Sequence, residues 1–65
     1  MAEVWKPQPI NVLTDWIETI REELSDDLTS WELTFIDSIS VQLDTKKYLS
    51  QKQEEILERI YSRTP

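Results

Sequence analysis

Four carboxylates at helical spacing, Asp15, Glu18, Glu22 and Asp26, are the residues whose type and pattern first suggest chemistry. Residues three and four apart on a helix have β-carbons about 5–6 Å apart, so these side chains form one row. Such a row has three uses: acid–base catalysis, cation binding, or imitation of nucleic-acid phosphates. Catalysis requires burial or a close partner to shift a carboxyl pKa, and this row faces away from the apolar side of its helix.

The residue types that are missing restrict the chemistry further. The chain contains no histidine, no cysteine and no glycine. It therefore has no Ser–His pair, no thiolate nucleophile, no Cys or His zinc ligand, and no glycine-rich phosphate or calcium loop. We expect a protein that is not an enzyme, with no catalytic residue, no cofactor and no metal site.

The negative charge is concentrated in the first half of the chain. The net charge is −6; residues 1–33 hold eight acids and two bases, whereas residues 34–65 hold five of each. We expect the acidic first helix to dock on a basic surface of a larger protein, since complementary charge speeds association. The acids assigned to this contact are Asp15, Glu18, Glu22, Glu23, Asp26 and Asp27. The alternative is an ordinary solvated face that serves solubility alone.

A small group of bases supports an alternative function, that of a nucleic-acid-binding accessory domain. The residues concerned lie in the turn before the third helix and on that helix: Lys46, Lys47, Lys52, Arg59 and Arg63. Bulk acidity argues against general nucleic-acid binding, which depends on phosphate neutralisation. An ion pair between Glu55 and Arg59, four residues apart in the favourable order, would make this a solvated face instead.

The aromatic residues divide into two predicted groups. Trp16 and Trp31 fall on apolar stripes, so we expect both in the core. Trp5 lies beside Val4 in the N-terminal arm, where it either covers the bundle or serves as an exposed anchor for a partner. Val41 lies off the stripe of its helix and is a candidate for an apolar contact outside the core.

The elements that position these residues are an arm and three helices. Lys6-Pro7-Gln8-Pro9 favours an extended arm over residues 1–10, followed by one helical domain over 11–65. Apolar residues at three- and four-residue steps predict helices over about 11–25, 30–44 and 50–63. Short connections then give a small all-α three-helix bundle.

Capping motifs indicate where the helices begin. Thr29 with Glu32, and Ser50 with Gln53, have the spacing of a capping box, in which the hydroxyl and the third helical side chain each bond a free N–H. Asn11 is the predicted N-cap of the first helix. The predicted inward stripes are Leu13, Trp16, Ile17, Ile20 and Leu24, then Trp31, Phe35, Ile36, Ile39 and Leu43, then Ile56, Leu57, Ile60 and Tyr61.

Length and charge set expectations for the whole molecule. At 65 residues there is room for one domain. The apolar runs are too short for a membrane span and the N-terminus lacks a signal-peptide pattern, so we expect a cytoplasmic protein. Repulsion between net negative copies favours a monomer, and we place any dimer contact on the second helix and the arm.

Two segments carry a resemblance to known proteins. They are W-E-x-x-F-I-x-S-I over residues 31–39 and L-S-x-K-Q-x-x-I-L-x-R-I-Y over residues 49–61. This pattern resembles a helical segment of small bacteriophage and bacterial proteins, found alone and attached to replication or recombination proteins. The resemblance implies a phage-type setting, with a nucleic-acid-processing host or phage protein as the partner and the chain as an inhibitor or nucleic-acid mimic. It implies no particular activity.

Overall fold

The computed structural model describes residues 6–65, and within that range the chain forms three helices and no strand. The helices are α1 over Ile10–Glu23, α2 over Ser30–Lys46 and α3 over Gln51–Tyr61. The prediction of an all-α three-helix bundle is confirmed. None of these helices is both long enough and apolar enough to cross a bilayer. The predictions for Val4 and Trp5 lie outside the described residues.

The start of α1 is set by Pro9 and not by Asn11. Pro9 has φ −59° and ψ 149°, and no side chain caps the helix. The Pro9 carbonyl accepts hydrogen bonds from the N–H groups of Val12 at 3.0 Å and Leu13 at 3.2 Å. Proline has no side-chain acceptor, so the first N–H groups of α1 are not capped, while its fixed φ is compatible with the turn into the helix. The predicted N-cap at Asn11 is wrong, and Asn11 lies inside the helix.

The end of α1 comes at Glu23, earlier than predicted. Leu24 leaves helical geometry at φ −118°, although its N–H still bonds the Ile20 carbonyl at 2.8 Å. The Asp27 N–H then bonds the Leu24 carbonyl at 2.9 Å and closes a turn. Short oxygen-bearing side chains compete with the helical backbone, which explains the break after Leu24. The placement of Asp26 on the outer face of the first helix is therefore wrong, because Asp26 lies in this turn.

Both predicted capping boxes are present. The Glu32 N–H bonds Thr29 Oγ1 at 3.1 Å, and the Thr29 N–H bonds Glu32 Oε1 at 2.9 Å. The Gln53 N–H bonds Ser50 Oγ at 3.2 Å, and the Ser50 N–H bonds Gln53 Oε1 at 2.8 Å. These reciprocal bonds fix the first turns of α2 and α3, and with them the neighbouring side chains Trp31 and Lys52.

A lysine in left-handed geometry ends α2. Lys47 has φ 68° and ψ 15°, and its N–H bonds the Leu43 carbonyl at 3.0 Å. Glycine usually takes this position because it has no β-carbon to clash, but this chain contains no glycine. The left-handed residue turns the chain sharply, so that only four residues separate Lys46 from the first residue of α3.

The core lies between all three helices, with α1 packed against both α2 and α3. The buried side chains are Leu13, Ile17, Ile20 and Leu24, then Ile36, Ile39 and Leu43, then Leu49, Leu57 and Ile60. Leu49, just before the Ser50 cap, closes one end of this core. The helices α2 and α3 approach each other less closely than either approaches α1. A groove therefore remains open between α2 and α3.

A buried carboxylate holds the N-terminal arm against α3. Glu54 is only 5% exposed, and its two oxygens accept the Gln8 N–H at 3.1 and 3.3 Å. Residues 6–9 have no regular secondary structure, as the prolines predict. This contact joins positions 46 residues apart. Glu54 had no special place in the sequence pattern, because its partner is a backbone group of another segment.

Candidate functional site

The six predicted docking acids are all exposed, but they do not all lie on one helix. Asp15, Glu18 and Glu22 lie on the side of α1 opposite its buried residues. Glu23 is the last residue of α1, and the turn that follows carries the remaining two. We call these residues the acidic surface: Asp15, Glu18, Glu22, Glu23, Asp26 and Asp27.

No carboxylate of the acidic surface bonds another part of the described chain. Within residues 6–65, the two ion pairs are Arg21 with Asp37 at 3.1 Å and Arg63 with Glu32 at 2.7 Å. Arg21 is the single base of α1, and this pair directs it towards α2. None of the six carboxylates of the acidic surface forms an ion pair within the described chain. No three carboxylates of the described residues lie close enough together to hold a metal ion.

The predicted basic group is divided between two places. Lys52, Arg59 and Arg63 line the groove between α2 and α3, together with Trp31. Lys46 and Lys47 lie at the C-terminal end of α2, and Lys47 lines a separate depression between α1 and α2. The five bases are thus not one patch, and only three of them face a common space.

The predicted ion pair between Glu55 and Arg59 is not formed. The Glu55 carboxylate instead accepts a long hydrogen bond of 3.4 Å from Gln51 Nε2. The guanidinium of Arg59 and the ammonium of Lys52 have no acidic partner within 4.0 Å among residues 6–65. Two cations of the groove are therefore available to a ligand.

Arg63 and Glu32 close one end of the groove. The Thr29 backbone N–H, and to a smaller extent Arg63, hold the pKa of the Glu32 carboxyl below its ordinary value of 4.5, while partial burial opposes them. Glu32 thus combines a helix cap with a link from α2 to Arg63, which lies just after the end of α3 and not on the third helix as predicted. The capping motif predicted the first role, but the link depends on Arg63, which is 31 residues away.

Trp31 is not in the core, contrary to prediction. Its side chain is 60% exposed and stacks on Phe35, with ring centroids 5.4 Å apart and planes 10° from parallel. Successive residues are rotated by about 100° around the helix axis, so Trp31 lies roughly 120–140° around α2 from Leu43 and Ile36. It is therefore on the side of α2 that borders α3. The indole borders the groove, and Phe35 behind it is half-buried against the core.

Trp16 is half-buried and packs against the core, so its prediction holds only in part. Its ring stacks on Tyr61, with centroids 5.1 Å apart and planes 19° from parallel. This pair joins the middle of α1 to the end of α3. Trp16 is therefore structural, whereas Trp31 is available at the surface.

A pair of glutamines that the sequence pattern did not reveal also joins α2 to α3. Gln42 Nε2 bonds Gln53 Oε1 at 3.0 Å, and Gln53 Nε2 bonds Gln42 Oε1 at 2.8 Å. Gln42 Nε2 also bonds the Tyr48 carbonyl at 3.2 Å. The pair ties α2 to α3 next to their connection, and the Arg63–Glu32 ion pair links the two ends of the chain segment that follows Thr29.

Comparisons with protein-family models, with curated proteins and with solved structures give no match to this chain.

Proposed function

We propose that this chain is a non-enzymatic protein-binding module whose acidic surface docks on a basic surface of a larger, nucleic-acid-processing protein. The observation that carries the proposal is the six exposed carboxylates without an intramolecular partner in the described chain. Their field is not neutralised by Arg21, which pairs with Asp37 at 3.1 Å. A cytoplasmic, phage-type setting and a role as inhibitor or nucleic-acid mimic belong to the same proposal.

The geometry of α1 supports imitation of a phosphate row. Asp15, Glu18 and Glu22 follow one another at three- and four-residue steps on a helix whose opposite side is packed in the core. Because the backbone is rigid, the charges are held in position before a partner arrives. Preorganised complementary charge mainly raises the association rate and makes it salt-dependent. A basic groove built for nucleic acid is the surface that such a row fits.

The test uses two double variants that lose the same residue types. Asp15→Asn with Glu22→Gln removes two of the six charges of the acidic surface, and Asp44→Asn with Glu58→Gln removes equal charge from exposed positions elsewhere. Each immobilised protein captures partners from a bacterial lysate across a salt titration. Captured proteins are identified by mass spectrometry, and a double-stranded DNA oligonucleotide is added as a competitor.

We expect the wild-type chain and the control variant to retain the same basic nucleic-acid-processing protein. The acidic-surface variant should lose it, and both the DNA competitor and rising salt should release it. Capture of no specific protein even near about 50 mM salt would exclude the proposal. Equal loss of capture by the two variants would show that net charge, and not this surface, is responsible.

A further inference from the structure

The groove between α2 and α3 has the size and lining of a binding site. Its volume is about 570 Å³, within the range of small-molecule sites. The wall on α2 is Trp31, and the wall on α3 carries Lys52 and Arg59 above the apolar Ile56 and Ile60. We call this space the Trp31 groove. No residue of the acidic surface lines this groove, and neither does Glu54.

The indole of Trp31 is oriented as a stacking platform. Phe35 covers one side of the ring at 5.4 Å, and the capping box of Thr29 fixes the helical turn that carries it. The ring is nevertheless 60% exposed. A tryptophan held rigidly with a free face binds nucleobases by stacking, and this contact tolerates any base because every base has a π-face.

The two free cations lie on the same side of α3 and line the same groove as Trp31. Lys52 and Arg59 are seven residues apart, which corresponds to roughly 10 Å along a helix. Both are exposed, and neither has an acidic partner among residues 6–65. Glu55 lies between them on the rim, and Arg63 is bound to Glu32 at 2.7 Å. The positive charge available to a ligand is therefore small and local.

We propose that the Trp31 groove binds single-stranded nucleic acid, with a base stacked on Trp31 and backbone phosphates at Lys52 and Arg59. This site is separate from the acidic surface and goes beyond the proposed docking function. A peptide cannot bind here by strand addition, because the groove walls are helices whose backbone groups are already bonded. An acidic peptide, which Lys52 and Arg59 would also attract, is the competing occupant in the test.

The overall acidity of the chain weakens this binding without preventing it. Charge interactions between exposed groups are screened within about 10 Å at 0.1 M salt. The molecule measures 39 × 28 × 20 Å, and no carboxylate of α1 lines the Trp31 groove, although Glu18 lines the depression between α1 and α2. With two phosphate contacts, the logarithm of the binding constant should fall with the logarithm of salt concentration with a slope of roughly −1.4.

The test is a ¹⁵N NMR titration of the full chain with oligothymidylate of five nucleotides. A strand with the same number of phosphates and abasic sugars serves as the probe for purely electrostatic binding. We expect oligothymidylate to shift the Trp31 indole N–H and the amides of Lys52 and Arg59. The abasic strand should bind more weakly, and a glutamate-rich peptide should not displace oligothymidylate.

Variants separate stacking from charge. Trp31→Ala should weaken binding about fivefold to more than a hundredfold, and Trp31→Phe by less. Lys52→Gln with Arg59→Gln should reduce the magnitude of the salt slope, so that it approaches zero. The matched pair Lys46→Gln with Lys47→Gln should leave the slope unchanged. Because Trp31 is exposed, Trp31→Ala should keep its helical circular dichroism, which confirms that the variant is folded.

Several results would overturn the inference. One is that the abasic strand binds as tightly as oligothymidylate, and another is that the Trp31 indole N–H resonance does not shift. The others are that the acidic peptide binds more tightly than oligothymidylate, and that oligothymidylate does not bind at about 20 mM salt, where electrostatic contacts are strongest. The variant Asp15→Asn with Glu22→Gln should bind oligothymidylate at least as well as the wild type. Failure of the Trp31 groove and failure of the acidic surface are therefore distinguishable.

Discussion

At the scale of single residues, Glu32 carries two roles on one carboxylate. One oxygen accepts the Thr29 N–H at 2.9 Å and the other accepts Arg63 Nη2 at 2.7 Å. The backbone bond favours the charged form most, so the pKa lies below 4.5 in the folded protein. A depressed pKa means that this stabilisation is complete above the unfolded value and is lost as pH falls through the folded value.

The pH dependence of unfolding tests this assignment. Glu32→Gln keeps an oxygen for the Thr29 N–H but loses the ion pair, so it should cost about 0.5 kcal/mol at neutral pH. The difference from wild type should shrink below pH 4.5 as Glu32 becomes protonated. Urea unfolding at several pH values measures this, with Glu58→Gln as an exposed control. A difference that does not change with pH would contradict the assignment.

Lys47 is a second residue whose effect on the free energy of unfolding can be measured. A β-carbon in left-handed geometry is unfavourable, and Lys47 has φ 68°. Lys47→Gly should therefore raise the free energy of unfolding by about 0.5–1 kcal/mol, after the entropy lost by glycine on folding. Lys47→Ala removes the same charge and keeps the β-carbon, so it should give no such gain. Equal thermal midpoints for the two variants would refute the explanation.

At the scale of the elements, the caps determine where helices begin. The Ser50 hydroxyl accepts the Gln53 N–H at 3.2 Å, and replacing it with alanine leaves that donor without its partner. Ser50→Ala should cost on the order of 1 kcal/mol. Ser38→Ala, an exposed position within α2, is the control and should cost little. A Ser50→Ala protein that melts at the wild-type temperature would contradict the assigned start of α3.

The arm contact is an element-scale feature that amide exchange can test. Glu54 accepts the Gln8 N–H with both oxygens, and a hydrogen bond to a charged group protects the donor. Glu54→Ala should accelerate exchange of the Gln8 amide roughly tenfold or more. Glu55→Ala, at the exposed neighbouring position, should leave that rate unchanged. Equal rates in both variants would show that the carboxylate does not hold the arm.

The features predicted from the sequence are those that depend on nearby residues. Each capping box joins residues three apart, and the apolar residues of α1 and α3 recur on one side of each helix. Sequence spacing alone therefore predicted these features. The prediction that Trp31 lies in the core was wrong because the apolar stripe of α2 covers a wide arc of the helix surface. Periodicity does not show which edge of that arc is buried against the other helices. The contacts of Glu54 and Gln42 join distant segments, and no local pattern encodes such pairs.

Helix periodicity also predicted part of the candidate site. Asp15, Glu18, Glu22 and Asp26 were predicted on the outward face of the first helix, and the first three are exposed residues of α1. The prediction for Asp26 was wrong, because helix periodicity was continued past the break after Leu24. The five bases were grouped because they lie near one another in the sequence. In the structure, the chain turns at the left-handed residue Lys47, and Lys46 and Lys47 lie apart from the three bases of the groove.

At the scale of the whole molecule, two surfaces of opposite character lie on different sides of the bundle. The acidic surface lies on α1 and the turn after it, and the Trp31 groove lies between α2 and α3. A domain of this size buries only about 60% of the surface of its unfolded chain, so its stability is marginal and its core needs most of its apolar side chains. The two surfaces are built from residues outside that core, which leaves them open to substitution.

The oligomeric state follows from charge and from the exposed apolar side chains. Trp31, Leu33 and Val41 are exposed on different sides of α2, so they do not form one continuous patch of the kind that stable dimers bury. Each copy also carries six net negative charges, which repel. We therefore expect sedimentation equilibrium to give a monomer at both low and moderate salt.

Any residual association should strengthen as salt screens the repulsion, and it should involve the outer side of α2. Val41 is the most exposed large apolar side chain of the described chain, at 66%. Val41→Glu should then abolish the association, because it places a new charge at the contact, whereas Asp15→Asn with Glu22→Gln should leave it intact or strengthen it. A stable dimer that is lost when Asp15 or Glu22 is replaced would put the interface on α1. That result would also show that the acidic surface is occupied by a second copy of this chain instead of a basic partner.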